Sequence, residues 1–200
     1  LADWTGGWPA AFAFAARSGT LRRDLHDAAR AGDDRFAALA ARVFEACDES
    51  TQRLLLDTCL LRNLSGDDLL AAGCGEGPLL LSRLREREPQ LLTGDGDTLR
   101  YHAGFRMHLL DRLSARSPEA VREAHLRAAR AADRRGNVPA ALALLVPGGD
   151  LSRVAAILER DGLTLLESGA SEIVQESLAA LDAGGCDCCP TATALRAMLE

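Results

Sequence analysis

The stretch "QLLTGDGDTLRYH", residues 90–102, decides how the rest of the chain is read. Two short extended runs flank a Gly-Asp-Gly-Asp turn, and that combination predicts a β-hairpin over 91–101. Three helical segments precede it. "DESTQRLLLDTCLL" (48–61) offers a helix N-cap at its first residue and an apolar face at Leu54, Leu55, Thr58 and Leu61. "LSGDDLLAAG" (64–73) reads as a second, short helix capped near Ser65, and "GPLLLSRLRER" (77–87) as a third. One more helix is expected after the hairpin, from about Phe105 to Ser114.

Three helices, a two-stranded hairpin and a closing helix follow one another in the order of a winged helix. Outward from this core the pattern is helical on both sides. Upstream, a short helix is expected over 9–17, where Pro9 suits a first helical position because its missing N–H would have no partner there anyway. Two more follow, Arg22 to Arg30 and Arg35 to Ala46, separated by "AGDD"; Phe36, Leu39, Val43 and Phe44 mark a buried stripe at helical spacing. Downstream of Ser117-Pro118 the chain reads as a long amphipathic helix ending at Gly136. After it come "VPAALALLVPGG", "DLSRVAAILERDG", "LTLLESG", "SEIVQESLAALDAGG" and "PTATALRAMLE". Short helices joined by Gly, Asn or Pro turns, with Ala at close-packing positions, predict stacked antiparallel pairs of tetratricopeptide-like type and irregular period. The expected fold is therefore mainly α, divided into a helical part over 1–46, a winged helix over 47–116 and an incomplete helical array over 117–200.

Bulk composition is that of a soluble globular protein: 200 residues, 48% apolar and 26% charged. No apolar run approaches the roughly 20 residues that span a bilayer, and no basic segment followed by an apolar one opens the chain. The expectation is a cytoplasmic protein without a membrane partner. Because "LADW" lacks an initiator Met and an apolar helix is expected to start within ten residues, the sequence reads as a piece of something longer.

The basic residues number 23 and every one is Arg, which fits the codon bias of a GC-rich genome better than a chemical choice. Net charge is -6, so the phosphate neutralisation that drives non-specific DNA binding is not favoured. Arg83, Arg85 and Arg87 lie on the third helix, where a DNA-reading winged helix would place them. Glu86 and Glu88 interleave them, however, and "GPLLLS" ahead of them reads as buried, so direct DNA binding is not expected.

Cys47, Cys59 and Cys74 stand singly in apolar patterns and read as small core residues. Cys186, Cys188 and Cys189 are spaced unlike the pairs of a structural zinc site, and no metal is expected. His26, His108 and His125 read as surface or core-edge residues. No nucleophile motif or acid–base pair is present, and no G-x-x-x-x-G-K-[ST] occurs, so this chain is not expected to be an enzyme.

Three motifs carry a resemblance. "TGGWPAA" (5–11), "LSGDDLLAAG" with "LLLSRLRER" (64–87), and "YHAGFR" (101–106) followed by "EAHLRAARAADRRGNVPAALALL" stand in the order and at about the spacing of a known family. The sequence resembles the middle portion of MalT-like, LuxR-type ATP-dependent transcriptional regulators of the STAND class. The resemblance implies that Gly7, Trp8 and Pro9 close over a nucleotide base, and that His102 reaches the β-phosphate of bound ADP. It further implies ADP or ATP as cofactor of the intact parent and none for this fragment alone. The partners implied are a P-loop domain, a separate C-terminal DNA-binding domain, and an inducer or protein partner on the helical array. Gly104 and Met107 depart from the family pattern, which has an apolar and an acidic residue there. A helical-repeat scaffold that binds no nucleotide is the alternative.

Overall fold

A computed structural model describes residues 34–87, 91–95, 99–185 and 190–199. Residues 5–11, the expected helices over 9–17 and 22–30, and the cysteine cluster at 186–189 lie outside them. The described residues form two compact units, one ending at Arg116 and the other continuing from Ser117.

In the first unit, α1 (Asp34–Ala46) leads into α2 (Glu49–Thr58). Asp48 stops the chain between them and starts the next helix: its carboxylate accepts the Thr51 N–H at 2.8 Å and the Ser50 and Thr51 hydroxyls. Leu54, Leu55, Thr58 and Leu61 are all buried, as their spacing predicts. α3 (Gly66–Ala71) begins with a reciprocal cap. Ser65 Oγ accepts the Asp68 N–H at 3.1 Å, and Asp68 accepts the Ser65 hydroxyl at 2.8 Å, so a nearly buried carboxylate is satisfied locally.

α4 (Gly77–Arg87) completes the trio, and the wing follows as β1 (Leu92–Thr93) and β2 (Arg100–Tyr101). The strands pair antiparallel, Leu92 opposite Tyr101 and Thr93 opposite Arg100. Two flanking bonds tie the wing down: Leu64 N–H donates to Leu99 O at 2.7 Å, and His102 N–H to Leu91 O at 2.8 Å. α5 (Ala103–Ser114) closes the unit, burying Phe105, Leu109 and Leu113 at four-residue spacing. It packs on α1 and α2.

Three local readings are corrected. α5 starts at Ala103 rather than Phe105, because the His102 carbonyl already accepts the Arg106 N–H at 2.9 Å. "GPLLLS" is not uniformly buried: Gly77 and Leu81 face inward, while the helical period turns Leu79 outward to 57% exposure. Cys59 is fully buried, but Cys47 and Cys74 are only half-buried, since each falls in a connection between helices rather than on an inward helix face.

The second unit is a run of helices: α6 (Pro118–Arg134), α7 (Val138–Gly148), α8 (Leu151–Glu167), α9 (Ser171–Ala183) and α10 (Ala192–Leu199). Ser117, Asn137 and Asp150 cap α6, α7 and α8 by accepting an N–H three residues on. α6 buries Ala124, Ala128 and Ala131 along one stripe, and small side chains there let α7 approach closely. Leu142, Leu145, Val154, Leu158, Val174, Leu178 and Leu181 form the shared core of α7, α8 and α9. Sequence pattern breaks α8 at Gly162, but the helix runs through it unbroken. A Cβ at that position would stand 2.7 Å from a Leu195 methyl, so Gly162 serves helix packing and not a turn. α6 and α8 begin at 118 and 151, and α7 and α9 at 138 and 171, an offset of 33 residues that α10, beginning at 192, does not continue, in keeping with the irregular period of the sequence. The whole is a mainly α fold, a winged helix followed by a helical array.

Candidate functional site

His102 occupies the N-cap position of α5, between the wing and the helix. Its neighbours in "YHAGFR" have structural duties. Tyr101 is buried, its ring edge-on to Phe105 with centroids 6.3 Å apart, and its phenol oxygen lies 2.6 Å from Thr58 Oγ1. The Thr58 hydroxyl donates to Leu54 O at 2.5 Å, which uses its one proton; the phenol is therefore the donor of the shared bond. Phe105 is fully buried in the core. Arg106 donates Nε–H to Cys59 O at 2.9 Å, satisfying a carbonyl at the end of α2 that the helix itself leaves open.

His102 differs from these three. Its side chain is half-buried and makes no capping bond to the helix it precedes. Burial holds its pKa below the ordinary histidine value, which favours the neutral ring at neutral pH. A neutral ring still has one N–H to give, so the donor role implied by the resemblance needs no protonation. The first turn of α5 carries no acidic residue, leaving the positive end of its dipole without a side-chain anion of its own. Residues Gly7, Trp8 and Pro9, which the resemblance pairs with His102, lie outside the described residues.

Arg83 and Arg85 are exposed, and Arg85 stands 3.7 Å from Asp95 of the wing. Arg83 borders a pocket of about 290 Å³ with Ala46, Cys47, Asp48, Thr51, Leu80 and Leu84, a set that does not include His102. His108 sits against Phe44 of α1, ring centroids 6.2 Å apart, and Arg112 covers the same Phe44 ring at 5.1 Å while bonding Glu45 at 2.9 Å. This fastening of α1 to α5 was not visible in the sequence, because its residues lie more than sixty positions apart. Burial pushes the Cys59 thiol up to about 12, so it is an inert core group and no nucleophile. Among the described residues no three His, Cys, Asp or Glu side chains gather as metal ligands, and no helix is long and apolar enough to cross a membrane.

The three helices, the wing and the closing helix define a winged-helix domain. The family model of the MalT winged helix domain matches residues 40–121, from within α1 to the first turn of α6, and supports a MalT-like fragment. No curated protein and no solved structure matches the chain.

Proposed function

We propose that this chain is the regulatory middle of a MalT-like, ATP-dependent transcriptional regulator, and that its winged helix reads the nucleotide state through His102. The observation that carries the reading is the position of His102. Within a stretch that matches the MalT winged helix domain, it stands half-buried at the N-cap of α5, directly after buried Tyr101. A helix N-terminus with no acid in its first turn suits a phosphate oxygen, and an imidazole N–H beside it adds a directed donor. Gly7, Trp8 and Pro9 would cover the base. The phosphate-cradling loop must come from another part of the parent, since this chain has no Lys and no P-loop.

In this reading ADP holds the winged helix against the nucleotide module, and exchange to ATP releases it. The equilibrium shifts only by the difference in affinity of the two states for each nucleotide. The helical array, tetratricopeptide-like in its paired helices, receives an inducer or protein partner. Binding there biases the same equilibrium. DNA binding belongs to a separate domain of the parent.

The test is His102→Ala in the intact parent, with ADP dissociation and basal transcription activation as readouts. Faster ADP release together with raised basal activity is expected. Unchanged release and unchanged output would favour the nucleotide-free helical scaffold instead.

A further inference from the structure

The residues around His102 are tied to one point on a different helix. Tyr101, one position before it, donates to Thr58; Arg106, four positions after it, donates to the carbonyl of Cys59. Both anchors are at the last turn of α2, and they are adjacent in sequence. Thr58 and Tyr101 are buried, so their bond has no competition from water. The His102 peptide is itself held at both ends, by Leu91 O on its N–H and by the Arg106 N–H on its carbonyl.

We infer that Thr58, Tyr101 and Arg106 are positioning residues for His102: they clamp the start of α5 to the end of α2 and so fix where the imidazole stands. The inference rests on the nucleotide-sensor reading of His102. A donor that must meet a phosphate oxygen tolerates only a fraction of an ångström of misplacement, so the backbone that carries it must be held firmly. One side-chain bond before the residue and one after it, converging on one helix end, supply the constraint. They also connect the sensor to α2, so a displacement of α2 relative to α5 moves His102 directly.

The experiment measures release of a fluorescent ADP analogue from the intact parent protein. Tyr101→Phe keeps the ring in the core and removes only the hydroxyl; Thr58→Val and Arg106→Met remove the partners. Each single variant is expected to release the analogue several-fold faster, with melting still cooperative. Each is expected to have no further effect in a His102→Ala background, because a residue acting through His102 has nothing left to position. Faster release in His102→Ala, combined with unchanged release in the three variants or with equal added effects in the double variants, overturns the inference and leaves the sensor reading standing. Unchanged release in His102→Ala overturns the sensor reading and the inference with it.

Discussion

The phenol of Tyr101 donates to the hydroxyl of Thr58 at 2.6 Å, inside the winged helix, across 43 residues of sequence. The bond joins the second wing strand to the last turn of α2, and its two partners are not equivalent. Thr58→Val leaves the phenol buried without an acceptor, whereas Tyr101→Phe leaves Thr58 still bonded to Leu54 O. Thr58→Val should cost about 2 kcal/mol and Tyr101→Phe about 1 kcal/mol. Chemical denaturation of the two variants checks the order, and equal or reversed costs would mean that the phenol is not the donor.

Gly162 lies in mid-helix, where Ala ordinarily gains about 1 kcal/mol from propensity. Here the added methyl meets two methyls of buried Leu195, at 2.7 and 3.1 Å. Overpacking of that kind costs about 1–3 kcal/mol, so Gly162→Ala should destabilise the array on balance. The penalty should disappear in a Leu195→Ala background, measured as a double-mutant cycle on melting; a persistent penalty would place the clash elsewhere.

Much of the fold was legible because its signals are local. Asp48, Ser65, Ser117 and Asn137 lie within three residues of the amides they cap, and the Gly-Asp turn stands between the strands it joins. Gly162 misled for the converse reason: a glycine placed for a distant leucine looks, in sequence, like a helix end. The motif singles out His102 as a candidate, but it gives no sign of the anchoring of Tyr101 and Arg106. Nothing local in a sequence couples position 101 to 58 or 106 to 59.

The Phe44, His108, Arg112 and Glu45 cluster fastens α1 to α5. Phe44→Ala should cost about 3–5 kcal/mol, since it empties a buried aromatic site. Arg112→Ala should cost about 1 kcal/mol, the sum of a partly exposed cation–π contact and a surface ion pair. A melting series on the two variants checks the ratio. Comparable losses would show that the guanidinium, and not the ring, holds the helices together.

Burial lowers the pKa of His102, His108 and His125 in the folded chain. For His108 the Arg112 guanidinium adds to this, while Asp111 and Glu45 oppose it. Groups whose folded pKa is depressed bind more protons when unfolded, so stability is full above the ordinary histidine value of 6.5 and falls as pH drops through the window beneath it. The melting temperature should therefore decline from about pH 7 to about pH 5. His108→Phe should flatten that slope; its Nε2 is buried without a hydrogen-bond partner among the described residues, so no bond there is lost. A slope unchanged by the substitution would remove His108 from the account.

The central claim is that this winged helix belongs to a nucleotide switch read by His102. Its most direct test is to purify the longest natural form of the protein without added nucleotide, denature it, and identify by mass spectrometry what is released. Stoichiometric ADP is the predicted result. Protein shown to be folded that releases no nucleotide, and binds none when ADP is supplied, would contradict the claim and leave a helical scaffold in its place.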